Sequence, residues 1–165
     1  MLHFGVKPPF SVEKFLTICP DFIPEKDIAL LQRVSVAKTY SGDMPVPPIV
    51  AQWIAFDTAL GNALVKVRAV RKHAEAAAYV RPDKYVGAPL EQIALTAQRN
   101  PSPLEAEQFL DQERWKALDE LAVGHYFDIE ALVVYACKLS ILERWENIRT
   151  VPKEALLEQA LTAAV

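Results

Sequence analysis

Twelve prolines against only five glycines set the punctuation of this chain. Proline lacks the amide hydrogen that a helix interior needs, yet it fits a helix's first turn, so each cluster marks a helix start or a connection. The clusters are Lys7-Pro8-Pro9, Val46-Pro47-Pro48 and Asn100-Pro101-Ser102-Pro103. Between them Ala, Leu, Glu and Lys dominate, which are strong helix formers. The pattern predicts a helix in nearly every segment and offers little support for strands.

Taken in order, Ser11 caps a helix from Val12 to Cys19 that Pro20 stops, and Pro24 with Glu25 and Asp27 starts another that runs to about Ala37. Tyr40 to Pro45 reads as a loop. Pro47 and Pro48 then open a longer helix through Trp53, Leu60, Leu64, Val67 and Val70 towards Ala78. Gly61 falls inside it and weakens it by roughly 1 kcal/mol relative to Ala, so a neighbouring helix is expected to approach closely there. Arg81-Pro82-Asp83 and Val86-Gly87-Ala88-Pro89 bracket a non-helical link, expected to be the loosest part of the chain.

A short helix follows from Leu90 to about Ala97. Pro101 and Pro103 introduce another from Leu104 to Ala122, with Phe109, Leu110, Leu118 and Leu121 on its apolar face and Glu105, Asp111, Arg114 and Asp119 opposite. Gly124 ends that helix, and Asp128 caps the next, from Ile129 to about Ile148. Its start, Leu132-Val133-Val134-Tyr135-Ala136-Cys137, is apolar on nearly every side, which marks it as the central buried helix. Thr150 with Pro152 introduces a last amphipathic helix through Leu156, Leu157, Ala160 and Leu161.

The fold class is therefore all-α: an irregular bundle of about six or seven helices in a single domain over 1–165. The helix from Ile129 is expected to pack against those from Leu104 and Pro48. Phe56-Asp57 and Phe127-Asp128 each adjoin an apolar helix, which suggests a degenerate duplication into lobes 1–80 and 88–165, joined near 81–89. Beyond this pair the register of the two halves matches poorly.

Eighteen Lys and Arg face 21 Asp and Glu, a net charge of −3, so no strong positive field exists to hold nucleic acid. Cys19 and Cys137 lie far apart within apolar segments, as expected of reduced, buried thiols. No stretch of about 18 uninterrupted apolar residues occurs and the first residues form no signal-like segment, so a cytoplasmic chain that does not insert into membranes is expected.

No glycine-rich phosphate loop, Cys-x-x-Cys, His-Glu-x-x-His or Glu-x-x-His occurs, and no cofactor or metal is expected. The one acid–base-like cluster is His125 with Glu120 and Asp128, where a carboxylate could orient the imidazole of a hydrolytic or small-ligand enzyme. A histidine at a helix junction more often satisfies a backbone group, and a non-catalytic chain is the preferred reading. For contact with a protein partner the candidates are Lys66, Arg68 and Arg71, in a basic series that suits an acidic surface, and Trp145, set between Arg144 and Glu146. A self-associating scaffold is the third alternative.

Pro103-Leu104-Glu105-Ala106-Glu107, Leu110-Asp111, Arg114-Trp115, Leu118-Asp119-Glu120-Leu121 and His125-Tyr126-Phe127-Asp128 together resemble an uncharacterised bacterial family encoded beside V-type ATPase subunits. Lys7-Pro8-Pro9-Phe10-Ser11, Leu60-Gly61-Asn62-Ala63-Leu64-Val65 and Arg68-Ala69 extend the resemblance over Lys7 to Trp145. These are packing and capping patterns rather than a catalytic signature. More distantly, an acidic helix followed by an aromatic-Asp helix is similar to the C, or d, subunit of V-type ATPases, although this chain is about half the size expected of that three-lobed subunit. The resemblance implies a non-catalytic adaptor or accessory of an ion-translocating rotary ATPase, with ATPase subunits as partners and a position peripheral to the membrane. It also implies an aromatic-rich stretch before Lys7-Pro8-Pro9-Phe10, for which this sequence leaves no room, so its start is expected to be shortened or divergent.

Overall fold

Six α-helices form where the prolines and capping residues place them in the computed structural model, which describes residues 1–36 and 47–150. They are α1 (Val12–Ile18), α2 (Glu25–Val36), α3 (Pro48–Lys72), α4 (Glu91–Arg99), α5 (Pro103–Leu121) and α6 (Ile129–Thr150). No strand occurs among the described residues, so the all-α expectation holds. The expected loop from Tyr40 to Pro45 and the expected helix after Pro152 lie outside the described residues.

The caps explain the boundaries. Ser11 Oγ accepts the Lys14 amide at 3.1 Å at the start of α1, and Ser102 Oγ accepts the Glu105 amide at 3.3 Å at the start of α5. Pro20 sits in a single 3-10 turn, Cys19–Asp21, after α1, and Pro48 occupies the first turn of α3. α3 stops at Lys72 rather than continuing to Ala78. His73 there adopts a left-handed conformation, φ 51°, while the Ala74 amide reaches back to Ala69 O at 3.0 Å. Residues Ala76–Ala78 form only a separate 3-10 turn.

The chain turns back at that point because Asn62 holds it. Buried in α3, Asn62 accepts the Arg81 amide at 2.9 Å and donates to the Arg81 carbonyl and to Asp83 Oδ2, each at 2.7 Å. Tyr85 then sets its ring edge-on against Phe56, centroids 5.8 Å apart. The expected loose link at 81–89 is thus stapled to α3 over its first part.

α6 packs against α1, α2 and α5, while α3 packs against α4 and α5. The expected direct pairing of α6 with α3 is therefore not a main contact: α5 has contacts with both. Both sets of packing contacts cross the 81–89 link. Among the described residues Leu31, Leu60, Leu110, Leu118, Leu139, Val50 and Val133 are the largest fully buried apolar side chains. Burial of each contributes about 1.5–3 kcal/mol.

The two Phe-Asp pairs serve unlike ends. Phe56 is buried within α3 and Asp57 binds Arg114, whereas Phe127 is exposed and Asp128 caps α6. The pairs occupy non-equivalent places in the fold, and their recurrence gives no support to duplication. Cys19 and Cys137 are both buried free thiols, as expected. Among the described residues no helix is long and apolar enough to cross a membrane.

Candidate protein-docking site at the α5–α6 turn

α5 ends where Val123 N bonds Glu120 O at 3.2 Å and His125 N bonds Ala122 O at 3.0 Å. Gly124 between them has φ +88°, a left-handed conformation that costs glycine little and a side-chain-bearing residue more. Asp128 then locks the far end, its Oδ1 accepting the Ala131 amide at 3.0 Å and its Oδ2 pairing with His125 Nδ1 at 2.7 Å. The His125 bond and the Ala131 amide hold the Asp128 carboxyl below its ordinary range. With its ends fixed in this way, the turn projects Val123, Tyr126 and Phe127 into solvent, and Phe127 is 105% exposed.

Tyr126 and Phe127 share a groove of about 400 Å³ with Ile23 and Leu132, and Phe22, beside Ile23 in the chain, is 79% exposed. Two separated stretches of sequence thus bring large apolar side chains to one end of the bundle. Asp27 and Asp128 line the same groove and give its rim a negative charge. An aromatic centre with a charged rim is the usual anatomy of a protein contact.

Of the three residues of the acid–base alternative, His125 and Asp128 meet at 2.7 Å and Glu120 stands apart from them. Glu120 lines a groove of about 730 Å³ between α3 and residues 84–88, Asp128 lines the Ile23 groove, and His125 is occupied with Asp128. His125, Asp128 and Glu130 do bring their donor atoms within 4.8 Å of one another. A cation there would compete with both bonds of Asp128 and with the positive end of α6.

The four residues expected to contact a partner separate into three environments. Lys66 and Arg71 line a groove of about 490 Å³ between α3 and α4, floored by Val67, Val70 and Leu95, where Arg99 joins them. Sequence spacing did not single out Arg99, because it comes from another helix. Arg68 points to another side of α3 and lines a groove with Arg81 and Arg114. Steps of about 100° per residue put positions 66 and 68 some 200° apart around the helix, which separates Lys66 from Arg68.

Trp145 is only 7% exposed, so its expected place as a surface anchor is corrected: it lies in the core. Its Nε1 donates to Asp111 Oδ2 at 2.7 Å. Asp111, expected on the solvent face of α5, is 0% exposed and also binds the guanidinium groups of Arg114 and Arg144. Arg114 Nε reaches on to Asp57 Oδ1 at 2.8 Å, so one polar chain links α3, α5 and α6. Burial of a carboxylate is tolerated here because three donors surround it.

Residues 72–152, just under half of the chain, match the family model described as a protein of unknown function, DUF2764. The match covers α4 to α6 and with them the α5–α6 turn, a narrower span than the expected Lys7 to Trp145. No curated protein and no solved structure gives a significant match.

Proposed function

We propose that this chain is a non-catalytic helical adaptor or accessory protein of a V-type, ion-translocating rotary ATPase, acting through protein–protein contacts. The observation that carries an adaptor role is the exposure of Val123, Tyr126 and Phe127 on the α5–α6 turn, where the two rings line a groove with Ile23. Water-exposed aromatic rings held on a capped, rigid turn are costly to display and inexpensive to bury, since little conformational freedom remains to be lost on binding. The acidic rim at Asp27 and Asp128 suits a partner whose apolar pocket is flanked by Lys or Arg.

The choice of ATPase subunits as partners rests on the resemblance of the capping and packing motifs to the family encoded beside them. The groove with Lys66, Arg71 and Arg99 supplies a second contact face of opposite charge, which suits an acidic helix. An adaptor joining two subunits needs two such unlike faces. Affinity purification of the tagged full chain from its native host, under gentle extraction, should recover V-type ATPase subunits. Recovery of the chain with none of them, whether alone or as a homo-oligomer, would overturn the assignment.

A further inference from the structure

Gly61 sits in the middle of α3 with nothing packed on it: a methyl group placed there meets no atom of the described residues within 4 Å. The expected close helix approach is therefore corrected, and a helix-weakening residue is left without a packing reason. It lies instead in a groove of about 610 Å³ between α3 and residues 79–82. Arg68, Arg81 and Arg114 line that groove with a single carboxylate, Asp57. Arginines thus outnumber carboxylates in its lining, in a chain whose net charge is −3.

The three arginines are not equivalent. Arg114 is spent on Asp57 and Asp111. Among the described residues neither Arg68 nor Arg81 has an ion-pair partner for its guanidinium, although the Arg81 backbone is pinned by Asn62. Pinning fixes the base of the Arg81 side chain and lowers the entropic cost of using it. Thr58 adds a hydroxyl, while Ile54, Val65 and Pro82 supply apolar wall and Tyr79 an exposed ring. The volume suits a small molecule rather than a flat protein surface.

We infer that the groove over Gly61 binds a small oxyanion with an apolar body, a phosphate ester or an arylcarboxylate, held by the forks of Arg68 and Arg81. Guanidinium forks match the paired oxygens of both anions, and glycine below them leaves room for the body of the ligand. This site lies apart from the aromatic turn and does not depend on the adaptor role.

Calorimetric titration of the full chain with phenyl phosphate, inorganic phosphate and benzoate tests it. Phenyl phosphate or benzoate should bind, the tighter of the two identifying the anion, and inorganic phosphate should bind at least tenfold more weakly than phenyl phosphate. Arg68→Gln and Arg81→Gln should each lower affinity tenfold or more. Lys66→Gln, on the other groove of α3, should leave it unchanged. Gly61→Leu, which keeps the charge and fills the floor, should also abolish binding while circular dichroism stays that of the parent. Lack of binding by both aromatic anions, or equal losses in the Arg68, Arg81 and Lys66 variants, would overturn the inference.

Discussion

Trp145 on α6 gives its indole hydrogen to the Asp111 carboxylate on α5, at 2.7 Å, in a part of the core that neither residue's sequence context announces. The pair fixes how the two longest C-terminal helices face one another. It also holds in place the polar chain that continues through Arg114 to Asp57 on α3.

Asp111→Ala should therefore be among the most damaging single substitutions. It strips the common acceptor from Arg114, Arg144 and Trp145 and leaves the buried indole donor unmatched. Breaking a buried ion pair by removing one partner costs about 3–5 kcal/mol. Trp145→Phe, which removes only the indole donor, should cost about 1–3 kcal/mol. Chemical denaturation of the variants measures both, and a loss below about 1 kcal/mol for Asp111→Ala would make the network peripheral.

Within α6 the cavity cost should follow burial rather than hydrophobicity. Leu139 is fully buried, and Leu139→Ala should lose about 2–5 kcal/mol. Leu132 is only partly buried and faces the groove beside Tyr126, so Leu132→Ala should lose less. Equal losses in urea denaturation would show that α6 is packed on all sides.

The first residues of the 81–89 link should loosen when Asn62 is lost. Asn62→Ala leaves the Arg81 amide and carbonyl without partners, at about 1–3 kcal/mol. Limited trypsin proteolysis should then cut after Lys84 faster than in the parent chain, the Arg81-Pro82 bond being resistant. An unchanged cleavage rate would mean that Tyr85 against Phe56 alone secures the segment.

Burial, with a smaller contribution from the Asp57 charge, pushes the Cys137 thiol up from 9.0 to about 12. The folded state keeps this proton while the unfolded thiol gives it up, so the contribution to stability is complete below about pH 9 and falls as pH rises from there towards about 12. Cys137→Ala should show a shallower alkaline decline than the parent across that window in paired thermal melts. Parallel declines would place the thiol in contact with water.

Helix order was legible because prolines and caps are local signals: Ser11, Pro48, Pro103 and Asp128 each mark a helix start within a residue or two. The end of α3 was not legible, because it closes on a left-handed His73 where no glycine or proline stands, and the chain beyond is held by Asn62 on Arg81, a contact between residues 19 apart in sequence. Asp111 looked solvent-facing for the same reason, since its partners Arg144 and Trp145 lie on another helix. The α5–α6 turn was partly visible in His125-Tyr126-Phe127-Asp128. The histidine drew attention as chemistry, however, while the exposed ring beside it carries the surface.

The central claim concerns what Phe127 meets in the cell. A photo-crosslinking benzoyl-phenylalanine at position 127, activated in the native host, should yield a covalent adduct to a V-type ATPase subunit, and the same probe at exposed Ala77, remote in sequence from the turn, should not. Adducts that form only between copies of this chain, or no adduct at position 127, would contradict the adaptor account.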